Sequence, residues 1–213
     1  MPLEKTFPDD GRKTEDQGPS NPGQLPPDEF HPDELWMEEA LRCAQRALEA
    51  GEVPVGAVVI CNDVRVDVGN GQSESRGQIA GRGRIVGRGW NRNISDHDPT
   101  AHAEVIALRE AGATVGNHRL EDCTLFVTIE PCAMCAGALV HARVKRLVYG
   151  ADDPKAGAVH SVMQVLNHPQ LNHQIQVDKI EVHPIDVRKI DVRGGVLAGR
   201  SAEVLQTFFR NRR

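Results

Sequence analysis

The order of apolar segments predicts an α/β protein, a three-layer α/β/α sandwich around a mixed five-stranded sheet. Three observations predict it. Leu35, Trp36, Ala40, Leu41, Ala44, Ala47 and Leu48 recur with helical spacing until Gly51 stops the run. Short β-rich runs follow, at 53–60, 84–90, 124–129, 147–149 and 174–177. Helix-forming stretches at 101–111, 132–143 and after Ser201 fall between or after them, giving the order α-β-β-α-β-α-β, then β and α.

Residues 1–31 are acidic and proline-rich, with Pro19, Pro22, Pro26 and Pro27 and almost no aliphatic side chains. Such a segment buries too little surface to offset its ordering entropy, so a disordered tail is expected, with one domain over 32–213. The first helix begins near His31-Pro32-Asp33-Glu34. Val53–Ile60 and Arg84–Trp90 are the first two strands. The Gly-, Ser-, Arg- and Asp-rich segment 61–83 between them is long for a hairpin connection. Within it Val64–Val68 alternates in a way that extends the hairpin.

Pro99-Thr100 leads into a helix, Ala101–Ala111, ended by Gly112. This puts His102 and Glu104 in a first helical turn. Thr124–Ile129 is a buried strand running into Glu130-Pro131, and Pro131 suits the start of the helix Cys132–Arg143. Leu147–Tyr149 and Gln174–Val177 are further strands. An echo between Lys179-Ile180-Glu181-Val182 and Lys189-Ile190-Asp191-Val192 is too short for a repeat architecture. Ser201 caps a last helix through Val204, Leu205 and Phe208 to the basic end Arg210-Asn211-Arg212-Arg213.

Composition narrows the function classes. The chain has 213 residues, 39% of them hydrophobic, enough for one substantial core. Residues 1–35 hold nine acidic against three basic side chains, a net of -6, so with an overall charge of -5 the remainder carries only +1 and is close to neutral. Nucleic-acid binding therefore requires a local basic patch. The five cysteines are unevenly spaced, and Cys43, Cys61 and Cys123 read as standing alone, which fits a reducing cytoplasm. The first 31 residues lack an apolar leader core and no stretch of 18 apolar residues occurs, so neither a secretory signal nor a membrane span is expected.

The chemistry lies in His102-Ala103-Glu104 and Pro131-Cys132-Ala133-Met134-Cys135. Together they write the H-x-E…P-C-x-x-C pattern of zinc nucleobase deaminases. A lone histidine is more often structural, and a lone CxxC fits a redox pair or half a zinc ribbon, but no second CxxC completes a ribbon. His102, Cys132 and Cys135 offer three ligands. Structural zinc sites are closed by four, whereas catalytic sites keep a position for water. Glu104, two residues from the histidine, is placed to move protons rather than to bind metal.

From about Glu34 to Arg213 the chain resembles the bacterial tRNA-specific adenosine deaminases of the cytidine deaminase superfamily. The resemblance is carried by Glu52–Ala57, Gly89–Arg92, His97–Glu104, Glu130–Ala138, Gly150–Lys155 and Phe208-Phe209-Arg210. It implies a cytidine deaminase-like fold and hydrolysis of adenosine to inosine at the wobble position of a tRNA anticodon, with one zinc per subunit. It implies further that Asn91 hydrogen-bonds the flipped base, that Val55 packs beside it, and that Asp153, Phe208 and Arg210 touch neighbouring nucleotides. A homodimer acting on the anticodon stem-loop is implied as well. The segments 61–83 and 178–192 are longer than the family's usual connections. Two rivals stand beside this reading: a small-molecule deaminase of cytosine or guanine, and a catalytically inactive RNA-binding subunit. The basic chain end argues against the first, and the intact Glu104 against the second.

Overall fold

Strand pairing organises the chain around a mixed five-stranded sheet. The computed structural model describes residues 32–62, 66–67, 73–74, 83–166 and 191–210. Helix α1 (Pro32–Glu49) precedes β1 (Gly56–Cys61), two short strands β2 (Val66–Asp67) and β3 (Ser73–Glu74), and then β4 (Arg84–Trp90). Next come α2 (Ala103–Val115), β5 (Cys123–Ile129), α3 (Ala133–Ala142), β6 (Arg146–Ala151), β7 (Asp191–Arg193) and α4 (Ala198–Arg210). The sheet order is β4-β1-β5-β6-β7. β1 runs antiparallel to both β4 and β5, and β5, β6 and β7 run parallel. This is the predicted architecture.

Alternation along the strands builds the layers. Ala57, Val59, Leu125, Val127, Leu147 and Tyr149 join Ala103, Ala107 and Leu108 of α2 and Leu139 of α3 in one core cluster. The intervening Val58, Ile60, Phe126 and Val148 meet Met37, Ala40 and Cys43 of α1 on the other face. Helix α2 lies unusually close to the sheet. A Cβ at Gly87 or Gly89 of β4 would run into the backbone carbonyls of Ala107 or Ala103. Two glycines thus fix how near the start of α2 comes to the strand.

Several boundaries differ from the sequence expectation, each for a local reason. β1 begins at Gly56 rather than Val53, because Pro54 has no N–H for a ladder and Val55 N–H turns back to the Val53 carbonyl (2.8 Å). Helix α2 runs through Gly112, which costs a helix about 1 kcal/mol without ending it. It stops instead at the left-handed Gly116, whose N–H donates to the Gly112 carbonyl. Ser201 is not a cap: α4 starts at Ala198, and Ser201 is buried inside it against Gly150 of β6. Val66–Asp67 pairs with Ser73–Glu74 in a separate ribbon instead of extending β1 and β4. The fifth strand is Asp191–Arg193, overlapping the second half of the sequence echo. The expected tail, the strand at 174–177 and residues 178–190 lie outside the described residues.

Cys61 and Cys123 sit directly opposite each other on β1 and β5 and are joined in a disulfide, with Cα atoms 4.2 Å apart. This corrects the expectation that both stand alone. They are 62 residues apart in sequence, and only strand register brings them together. The inference of a reducing compartment from unpaired cysteines loses that support. Among the described residues no helix is long and apolar enough to cross a membrane.

One ion cluster ties the start of α1 to the far edge of the sheet. The buried carboxylate of Asp33 accepts from Arg146 Nη1 and Nη2 (2.7 and 2.9 Å) and from Arg193. Burial alone would raise the Asp33 pKa, but the two guanidinium groups outweigh it and hold the carboxyl below 3.8. A depressed folded-state pKa means that this stabilisation is full above the unfolded value and is lost as pH falls through the folded one. Asp33→Asn should therefore cost about 1–3 kcal/mol at pH 7, and the deficit against wild type should shrink as the pH drops below 3.8. Denaturant unfolding of both proteins from pH 7 to pH 2.5 checks it.

Candidate active site

Two helix N-termini converge at the end of β5, and the segment leading into α2 is held from several sides. Asn91, next after β4, donates its N–H to the Val55 carbonyl (3.2 Å). Its Oδ1 accepts the Ala103 N–H (2.9 Å), so Asn91 caps α2 from twelve residues upstream. His102 stands at the N-cap in an extended conformation (φ -76°, ψ 151°) and makes no side-chain cap bond. It lies one position before the helical turn expected for it, while Glu104 is in that first turn. Because Asn91 serves as the cap, the His102 imidazole is available elsewhere. The preceding turn is fixed by Asp98, whose Oδ1 accepts both the N–H and the hydroxyl of Thr100 (2.7 Å each).

Cys132 occupies the corresponding place before α3, an extended N-cap (φ -72°, ψ 174°) whose carbonyl takes the first helical bond from Ala136 N–H (2.8 Å). Cys135 follows in the first turn and is fully buried. The His102 Nδ1 lies 3.7 Å from Cys132 Sγ and 3.5 Å from Cys135 Sγ. All three ligand atoms fall within 4.8 Å of one another. A tetrahedral zinc with ~2.3 Å bonds to sulfur and ~2.0 Å bonds to nitrogen separates N from S by about 3.6 Å. The donor set and its spacing fit such an ion, with three protein ligands.

Electrostatics divide the two thiols. Cys132 is pulled down to about 3 by hydrogen bonds from Cys135 and His102 to its thiolate, against the opposing effect of burial. Cys135 is pushed up, chiefly by that neighbouring thiolate and by burial. The pair shares one negative charge, and a divalent cation between them favours the second thiolate as well. Both helix starts direct partial positive charge at the same point. His102 is raised, first by its hydrogen bond with Cys132 and despite desolvation. Glu104 is only 3% exposed, and burial raises its carboxyl above the usual range. A carboxyl that holds its proton more firmly than normal is suited to exchange it near neutral pH.

The remaining sequence-named residues are distributed around this cage. Val55 is buried where its carbonyl meets Asn91. Asp153 lies after β6, and its Oδ1 accepts the N–H groups of Lys155 (2.9 Å) and Ala156 (3.2 Å), closing a tight turn. Phe208 is buried at 5% exposure, while its edge-to-face neighbour Phe209 is 52% exposed. Arg210 ends α4 on the surface.

Two buried carboxylates escaped the sequence reading of roles. Glu52 accepts the N–H groups of Ile94 (3.2 Å) and Ser95 (2.7 Å) and the Ser95 hydroxyl (2.8 Å), holding the loop after Asn91. Glu130 accepts from Asp153, Val159, His160 and Ser161. Burial opposes its ionisation, yet these donors bring it down to about 2. The signal available in the sequence was a single glutamate at each strand boundary, beside apolar runs.

Residues 31–213 match the MafB19-like deaminase family. The chain is 41% identical over 181 residues to the tRNA-specific adenosine deaminase of Haemophilus influenzae, covering 85% of each chain. It is 37% identical over 178 residues to the enzyme of the same name from Streptococcus pyogenes serotype M1, covering 84% of each. The chain belongs to the tRNA-specific adenosine deaminase family. A solved structure from work on A-to-I editing by tRNA:A34 deaminases at the wobble position of transfer RNA is similar in fold. Its TM-score is 0.61 at 36% identity, over 80% of this chain and 99% of that one.

The assignment of His102, Cys132 and Cys135 as metal ligands and of Glu104 as proton carrier makes separate predictions. Glu104→Ala should retain its metal and its melting temperature while losing about 10²–10⁴-fold or more in kcat. Cys132→Ser should lose the metal. Metal analysis beside turnover of both variants checks the division, and a Glu104→Ala protein without metal would make Glu104 a ligand.

Proposed function

We propose that the chain hydrolyses adenosine to inosine at the wobble position of a tRNA anticodon, releasing ammonia, with one zinc per subunit on His102, Cys132 and Cys135. The observation that carries the reading is the three-donor cage of His102, Cys132 and Cys135, with a buried glutamate two residues after the histidine, in a chain of this family. When bound there, zinc supplies the Lewis acidity that makes hydroxide available near neutral pH. Glu104 accepts the proton of the attacking water and passes it to the purine ring. With the water oxygen bonded to C6, Glu104 then takes the second proton from that C6 hydroxyl and delivers it to the exocyclic amine, which leaves as ammonia as the C6 carbonyl forms. The raised Glu104 pKa favours its uptake of the water's proton.

An anticodon loop suits such a site because its bases are already partly unpaired, so extruding one costs little. Asn91 has committed its carbonyl oxygen to Ala103, leaving its amide N–H groups to donate to the flipped base, with Val55 beside it. The Asp152–Lys155 turn and the end of α4 would meet the flanking nucleotides. There Arg210 and the exposed Phe209 offer a phosphate contact and a stacking face, while the buried Phe208 anchors the helix. A homodimer belongs to the same proposal. It is supported by an open groove of about 600 Å³ between α2 and α3, floored by Val105, Leu108, Ala138 and Ala142, whose lining includes none of His102, Cys132 and Cys135. A cytoplasmic site of action belongs to the same proposal, because that is where a tRNA substrate is met.

The decisive comparison is an anticodon stem-loop against free adenosine, cytosine and guanine. The stem-loop should be deaminated and the free compounds turned over negligibly, because binding energy from the arm holds the flipped base. Deleting Arg210 to Arg213 should weaken RNA binding and flatten its log–log salt dependence by about 0.7 for each lost phosphate contact. Efficient turnover of a free base, unaffected by that deletion, would favour the small-molecule reading. RNA binding without any turnover would favour the inactive subunit.

A further inference from the structure

Beyond the cage, the buried carboxylate of Glu130, at the junction of β5 with the Pro131-Cys132 turn, accepts five hydrogen bonds. One oxygen, Oε1, accepts the N–H groups of Val159 (3.0 Å), His160 (2.8 Å) and Ser161 (3.0 Å). The other, Oε2, accepts the Asp153 N–H (3.1 Å) and the Ser161 hydroxyl. A single buried anion therefore grips both ends of the segment 153–161. The interior of that segment leaves no room for an alternative. A Cβ at Gly157 would overlap the Glu130 carboxylate, and Gly157 N–H bonds back to the Asp153 carbonyl (2.9 Å). Ala158 N–H donates to the Pro131 carbonyl (2.8 Å), and Gly157 bridges Cys132 itself. Asp152 and His160 lie close to Glu130, but its oxygens already serve these backbone donors.

We propose that Glu130 is a positioning residue for RNA recognition: its carboxylate clamps the 153–161 segment into a preformed ledge beside the zinc cage, so that the Asp152–Lys155 turn meets nucleotides without first being ordered. The inference rests on the tRNA reading above. Without the anion, four backbone N–H groups and a hydroxyl lose a common acceptor, and no neutral side chain of the same size can accept from all of them. The segment then has to be ordered at the expense of binding. Because the ledge contacts substrate and transition state alike, its loss raises KM and leaves kcat nearly unchanged. Glu104, in contrast, acts on kcat.

The test is Glu130→Gln in the full chain. Hydrogen–deuterium exchange of the RNA-free protein should show faster exchange at Asp153, Val159, His160 and Ser161, with β5 and α3 still protected and one zinc per chain retained. On an anticodon stem-loop, KM should rise about tenfold or more while kcat changes by less than about threefold. Ser161→Ala removes one donor and spares the anion. It should shift exchange and KM in the same direction by a smaller factor, and it carries the test if Glu130→Gln does not fold. An active wild type whose variants keep both the amide protection and KM overturns the proposal. Loss of zinc or of kcat in Glu130→Gln also overturns it, since Glu130 would then act through the Cys132 turn. A wild type inactive on the RNA would remove the tRNA reading, and this proposal with it.

Discussion

A ring nitrogen and two sulfurs must meet within 3.5–3.7 Å although the histidine and the first cysteine are 30 residues apart in sequence. Two helix starts accomplish this. His102 and Cys132 are both extended N-cap residues, so their side chains leave the backbone before the helical turns begin. The sheet sets the distance between those starts. β4 delivers the chain to Asn91 and α2, β5 delivers it to Cys132 and α3, and β1 lies between the two strands with antiparallel register to each. Close seating of α2 on Gly87 and Gly89 fixes the remaining degree of freedom. The same arrangement aims two positive helix ends at the thiolates, so the architecture that brings the ligands together also favours their charged form.

Around this cage three buried glutamates do different work because their surroundings differ. At Glu104 burial outweighs the hydrogen bonds that oppose it and pushes the carboxyl up. Glu130 is equally inaccessible to solvent but faces a ring of backbone donors, which keep it ionised. Glu52 uses its oxygens in the same manner on Ile94 and Ser95. Desolvation acts on both Glu104 and Glu130, and the donors aimed at the carboxylate decide the outcome. The two loops flanking the cage are thus tied to strand boundaries by buried carboxyl groups. Such ties are directional and hold a loop in one conformation.

Local chemistry was legible in the sequence, and with it much of the fold. Short β-rich runs marked β1, β4, β5 and β6, helical spacing marked α1, and the H-x-E and P-C-x-x-C motifs marked their own helix starts, since turn and cap chemistry acts over a few residues. Long-range geometry was not legible. That Asn91 caps α2 from outside, that Cys61 faces Cys123, that Ser201 is buried in α4 instead of opening it, and that the sheet's last strand is Asp191–Arg193 all depend on partners distant in sequence. Nor does the sequence say which of Phe208 and Phe209 turns inward, because adjacent helical positions differ only in the direction they face. The sequence by itself determined which residues can bind a metal and which can carry a proton, because those capacities reside in the side chains. Only the tertiary structure decided how each carboxylate and thiol is charged, because a pKa is set by burial and by donors that folding brings in from elsewhere in the chain.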